Sequence, residues 1–104
     1  MPNHDFTPLY AHYPSIIAQM PETFTSHQFI LELARQHQTL YIEALYSYRH
    51  HERNGKPAPF MIVHGILAQH LLSYPNLIEK TRNDAPSQDV FGQDETCSEW
   101  RKLA

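Results

Sequence analysis

Glycine is almost missing from this chain: Gly55, Gly65 and Gly92 are the three glycines in 104 residues. A loop that cradles phosphate through several closely spaced glycines cannot be built from them. Ser87, in PSQDVFG, likewise lacks the glycine pattern of a nucleophile elbow. Cysteine occurs once, at Cys97, so no internal disulfide can form. A lone thiol fits a reducing compartment better than secretion, and a cytoplasmic location is expected. Charged residues are sparse at 18%, with a formal net charge of −3, which offers no general attraction to nucleic acid or to an anionic membrane. No apolar run approaches the ~20 residues of a membrane span, and the N-terminus lacks the basic and apolar regions of a signal peptide. Strand signals are weak throughout, because the β-branched residues never form an alternating run bounded by turns.

What the chain does have is apolar and aromatic content, 41% and 12%, enough for a folded globule. Its length suits one domain with one core. Residues 25–52 dominate the pattern. Thr25 and Gln28 occupy the N-cap and N3 positions of a capping box, and Phe24 and Phe29 have the spacing of a hydrophobic staple. Ile30, Leu33, Ala34, His37, Leu40, Tyr41, Ala44, Leu45 and Tyr48 then recur at three- and four-residue steps along one side of a helix. The run reads as one long helix or as two. A single helix would span roughly 40 Å at ~1.5 Å per residue, long for a small domain, and a break belongs near 35–39, where polar residues cluster.

The rest of the chain reads as shorter helices around this one. Residues 1–14, with three prolines and no period, form an extended arm, and 15–104 form a single helical domain. Ser15 caps a short helix through Met20. Asn54 and Gly55 signal a turn after the polar stretch RHHERNGK, and Pro59 stands in the first turn of a helix over 60–73. Its buried side carries Phe60, Val63, Ile66, Leu67, Leu71 and Tyr74. Gly65 in mid-helix costs about 1 kcal/mol relative to alanine, so something is expected to pack closely against it. Asn76 with Glu79, and Thr96 with Glu99, repeat the capping pattern and predict helices over 77–82 and at the C-terminal end, the latter carrying Cys97, Trp100 and Leu103 on one side. Between them lies a loop anchored by Val90 and Phe91, with at most a minor pairing of 86–93 to the arm. The expected fold is all-α: a single-domain bundle of four to five helices around a long central helix.

Chemistry is scarce in this reading. Eight histidines invite a metal site, but His64 and His70 are six apart, His50 and His51 adjacent, and His27 and His37 ten apart, so no pair has the helical spacing of ligands. Cys97 sits among carboxylates in DETCSEW, which favour the neutral thiol. No catalytic residue, metal or cofactor is expected, and no small-molecule substrate.

Two binding classes are left. The first is a protein-interaction module, self-associating or with another protein. Ile42 and Tyr46 point away from the Leu33, Leu40 and Ala44 stripe, and with Tyr41 and Tyr48 they put more apolar surface on the long helix than short neighbours can cover. The alternative is a DNA-binding regulator. Residues 27–83 hold six bases against four acids, and Arg49, Arg53, Lys56, Lys80 and Arg82 are the candidate phosphate contacts. Ala68 and Ile78 have the ten-residue separation of a helix-turn-helix, although Leu72 replaces the turn glycine and Pro75 follows it.

Overall fold

Thr25 stands where a strand becomes a helix. A computed structural model describes residues 4–103. In it Thr25 Oγ1 accepts the Gln28 N–H at 3.2 Å, and Gln28 Oε1 accepts the Thr25 N–H at 2.9 Å, so the capping box is complete. The helix it opens, α3 (Ser26–Gln36), buries Phe29, Ile30 and Leu33. His37 leaves helical geometry at φ −131°, ψ 57°, and α4 (Gln38–Ser47) begins immediately after it. The break thus falls inside 35–39, and the central rod is two helices.

The chain before Thr25 supplies a one-turn helix α1 (Thr7–Tyr10), a helix α2 (Tyr13–Gln19) and a short strand β1 (Thr23–Thr25). The expected extended arm is therefore helical over α1, and Tyr13, placed in the arm by sequence, is the first residue of α2 and fully buried. The first three residues of that arm lie outside the described residues, as does Ala104. Tyr13 can sit in the core because its hydroxyl donates to the Leu67 carbonyl at 2.6 Å. After α4 comes a small hairpin, β2 (Glu52–Arg53) and β3 (Lys56–Pro57). Asn54 and Gly55 take φ of +55° and +78° at its turn, the left-handed pair such a turn needs. Helix α5 (Pro59–His70) runs on into a 3₁₀ turn (Leu71–Ser73).

The remainder overturns the all-α expectation. Residues predicted as the 77–82 helix, the following loop and the C-terminal helix form two strands, β4 (Ile78–Gln88) and β5 (Asp94–Lys102). They make an antiparallel sheet of order β1-β5-β4, so the fold is α+β. The supposed caps are cross-strand groups. Glu79 pairs with Arg101, its register partner, and Glu99 accepts from the Thr81 hydroxyl at 2.8 Å. Trp100 is the only one of the three expected helix-face residues to be fully buried: Cys97 is half-buried and Leu103 exposed. Opposite Trp100 lie Phe24 on β1 and Lys80 on β4, and the indole N–H donates to Ser26 Oγ at 2.9 Å.

Register shifts on either side of Arg82 explain the absent alternation. Ile78 and Ala85 are the buried residues of β4, seven apart with both irregularities between them, so no regular alternation connects them. Pro86 is tolerated because β4 is an edge strand. Beyond its chain neighbours and its own helix backbone, Gly65 has nothing among the described residues within 4 Å of where a Cβ would stand, against the expectation of a close neighbour.

Thr25→Ala should lower the unfolding free energy by about 1 kcal/mol in urea titration. Asn76→Ala, at the false cap, should change it by less than about 0.5 kcal/mol; equal losses would mean that residues 77–82 are helical after all.

Candidate functional site

The four residues proposed for protein contact divide between the two sides of α4. Ile42 and Tyr46 point outward, 60% and 63% exposed, one turn apart. Ala44, between them in sequence, is fully buried, which fixes which side of the helix meets the core. Tyr41 and Tyr48 turn inward. The Tyr41 hydroxyl is 2.5 Å from His64 Nε2, and Tyr48 packs between Phe6 and His51. Arg49 follows at the end of the helix, its guanidinium 3.8 Å over the Tyr46 ring and its Nη1 donating to the Tyr46 carbonyl at 2.9 Å. The outer face of α4 is thus an apolar pair bordered by Glu43 and Arg49.

The five candidate phosphate contacts are split between elements. Arg49, Arg53 and Lys56 stand at the end of α4 and in the β2–β3 hairpin, where Arg53 Nη1 reaches Met61 Sδ at 3.5 Å. Lys80 and Arg82 are on β4: the Lys80 ammonium is 5.4 Å from the Trp100 ring centre, and Arg82 lies 3.7 Å from Asp84. Ile78 begins that strand, so the Ala68–Ile78 spacing has no reader helix and the helix-turn-helix geometry is absent from the described residues.

The histidines serve largely as flat aromatic surfaces. His12 and His37 stack at 3.6 Å between ring centres, right at the α3–α4 break, and His70 stacks on Tyr10 at 3.5 Å with its edge toward Tyr13. Among the described residues no three His, Cys, Asp or Glu side chains converge on a position for a metal ion.

A feature that sequence reasoning missed is a cleft of about 530 Å³ between α3, α5 and the β4–β5 hairpin. His27, His64, Asp89 and Cys97 line it, together with Phe60, Val90 and Phe91. Asp89 shapes the hairpin tip: its Oδ1 accepts the Phe91 and Gln93 N–H groups at 2.8 and 3.0 Å, and Gly92 turns the chain at φ +80°. Phe91, expected as an anchor, is instead 61% exposed, with its ring edge-on to Phe60 at 4.9 Å; Val90 is the residue that packs on the core. Asp89 and Gly92 were a legible turn signal, but the strands flanking it were not.

Burial, with a further push from nearby His27, lowers the pKa of His64 to about 4, and Asp89 only partly opposes this. Burial raises Tyr41 to about 12, so a protonated hydroxyl shares a hydrogen bond with the neutral His64 ring at Nε2. Neither protein-family models nor curated proteins nor solved structures match this chain. Among the described residues no helix is long and apolar enough to cross a membrane.

His64 makes stability depend on pH. Because its pKa is about 4 in the fold against an ordinary 6.5, the unfolded chain takes up a proton in that window that the native one refuses. The stabilisation is complete above pH 6.5, is lost as pH falls toward 4, and levels off below it. Burial shifts His37 and His70 the same way. The melting temperature should therefore drop on acidification across this window, and less steeply in His64→Gln; superimposable pH profiles would show that position 64 is not desolvated.

Proposed function

We propose that this protein is a non-enzymatic interaction module that pairs with a second copy of itself through the outer face of α4. The observation that carries the reading is the exposure of Ile42 and Tyr46, two large side chains one turn apart on a helix whose opposite side is already packed. Burying such a pair against another protein removes apolar area from water at no cost to the chain's own core.

Charge favours a second copy over an unrelated partner. Glu43 and Arg49 stand three residues before and three residues after Tyr46. If two α4 helices meet antiparallel about a two-fold axis at Tyr46, Glu43 of each copy comes level with the end of the other helix, where Arg49 follows in a turn. That is the self-complementarity an isologous interface requires. Tyrosine suits the middle of such a patch, joining a large apolar ring to a hydroxyl that can stay hydrated at the margin.

Sedimentation velocity from low micromolar to several hundred micromolar protein should show a monomer passing into a dimer. Tyr46→Glu should weaken association at least tenfold, about 1.4 kcal/mol. Glu43→Arg and Arg49→Glu should each weaken it, and the double reversal should recover much of the loss. A chain that stays monomeric throughout, or a dimer indifferent to Tyr46→Glu, removes the reading.

A further inference from the structure

We propose that the groove along the outer side of α5 binds a long-chain carboxylate, its alkyl chain lying on the helix from Met61 to Leu72 and its head group held by Arg53 and Lys56 of the β2–β3 hairpin. The site uses none of the residues of the α4 pairing face, and the proposal does not rest on self-association.

The floor of the groove is the first observation. No Asp, Glu, Lys or Arg occurs between Lys56 and Glu79, so α5 carries none of these on any side. A helix apolar all round belongs in an interior. Here Val63 and Leu67 are buried, while Met61 and Leu72, on the other side, are 58% and 48% exposed. Met61, Ile62, Gly65, Ile66 and Leu72 line an open groove of about 740 Å³. Gly65 leaves the middle of this floor without a side chain, so an alkyl chain can lie close to the helix backbone. From Met61 to Leu72 the floor runs roughly 16 Å at ~1.5 Å per residue. Tyr10 and His70, stacked at 3.5 Å between ring centres, wall its far end. Burial lowers the pKa of His70, so that wall brings no charge at neutral pH.

The near end supplies the second observation. Arg53 and Lys56 are register partners across β2 and β3, which puts two cations side by side on one face of the hairpin. Like charges directly opposite each other destabilise a strand pair, and among the described residues neither forms a salt bridge. Arg53 lines the groove, where its Nη1 meets the Met61 thioether at 3.5 Å, a weak acceptor that leaves the guanidinium charge uncompensated. No acidic residue lines the groove. An anion placed at this end relieves the repulsion between the two cations, and the planar fork of arginine suits a carboxylate. A cationic head group would meet repulsion from both.

Size separates a small ligand from a folded partner. Ten residues line the groove, against roughly 20–30 a side in a protein interface. Its volume, by contrast, falls within the roughly 300–1,000 Å³ of small-molecule sites. With an apolar floor and both cations at one end, the ligand has one favourable direction, tail along α5 and head at the hairpin.

Isothermal titration calorimetry of the full chain with dodecanoate, kept below its micelle concentration, should show saturable binding of one ligand per chain. The Met61 methyl resonance should shift with the same midpoint. Dodecyltrimethylammonium has the same tail with the opposite charge, and butanoate has the head without the tail; each should bind at least tenfold more weakly. Arg53→Glu removes the head contact, and Leu72→Glu puts a charge under the tail. Both residues are exposed, so both variants should keep the parent circular dichroism spectrum while weakening dodecanoate at least tenfold. Tyr46→Glu, a change on the α4 face, should leave dodecanoate affinity at the parent value. No saturable binding, equal binding of the ammonium, parent-like affinity in either groove variant, or an equal loss in Tyr46→Glu would each overturn the proposal.

Discussion

The joint between sheet and helices rests on three consecutive residues, each with a different task. Phe24 is buried opposite Trp100 across β1 and β5, Thr25 caps α3, and Ser26 accepts the Trp100 indole N–H. A buried indole needs a partner for its N–H, and Ser26, the first residue of the helix that Thr25 starts, supplies it. The far end of β5 repeats the arrangement. Lys102 Nζ donates to the Ala18 and Met20 carbonyls at 3.2 and 2.9 Å, the carbonyls left over where α2 ends. So α2 finishes and α3 begins on groups that belong to β5. The helices are held in place by a strand, and the cleft exists because the hairpin that carries this strand stands beside α5.

This dependence also decides what could be read from the amino-acid order. The helical part was legible because its signals are local. Thr25 and Gln28, the three- and four-residue recurrence, and the polar cluster that breaks at His37 all act within a turn or two. The β4–β5 sheet was not, because its stabilisation lies between residues about twenty apart, such as Glu79 with Arg101 and Thr81 with Glu99. Both strands are poor in buried apolar residues, β5 contributing Trp100 alone. In β4 the register shifts scramble the alternation that a strand normally shows. A Thr or Asn followed three residues later by Glu then looks like a cap, since the capping pattern specifies only four positions and says nothing about what lies across from them. The outer face of α4 could be anticipated for the same reason that the cleft could not: Ile42 and Tyr46 follow from one helix's period, whereas the cleft needs three elements brought together.

The histidines show how burial redirects a residue type. Eight of them suggested ligands by number alone. Packed, His12, His37 and His70 present ring faces to other rings, and His64 hydrogen-bonds a tyrosine. For His37, His64 and His70 burial favours the neutral ring, because an imidazolium there would lose hydration. His37 adds a structural consequence. It stacks on His12 where the backbone leaves helical geometry, so an aromatic contact holds the break that lets α3 and α4 take separate directions.

A sequence that specifies one structure has its local choices in agreement, and disagreements that nothing inside the chain repays mark where the outside is expected to contribute. The edge strand β4 is no such place, since its irregular register and Pro86 discourage further pairing. Three others are: a helical glycine with no neighbour, a buried imidazole nitrogen with no donor, and an apolar pair on an already packed helix. His27 and Gly65 both line the cleft. The third is one residue away from it in covalent terms, because Tyr41 points inward to hold His64 while Ile42 points outward. A rotation of α4 about its axis that reseats Ile42 must also move the Tyr41 hydroxyl, so the outer face and the wall of the cleft cannot be repacked independently.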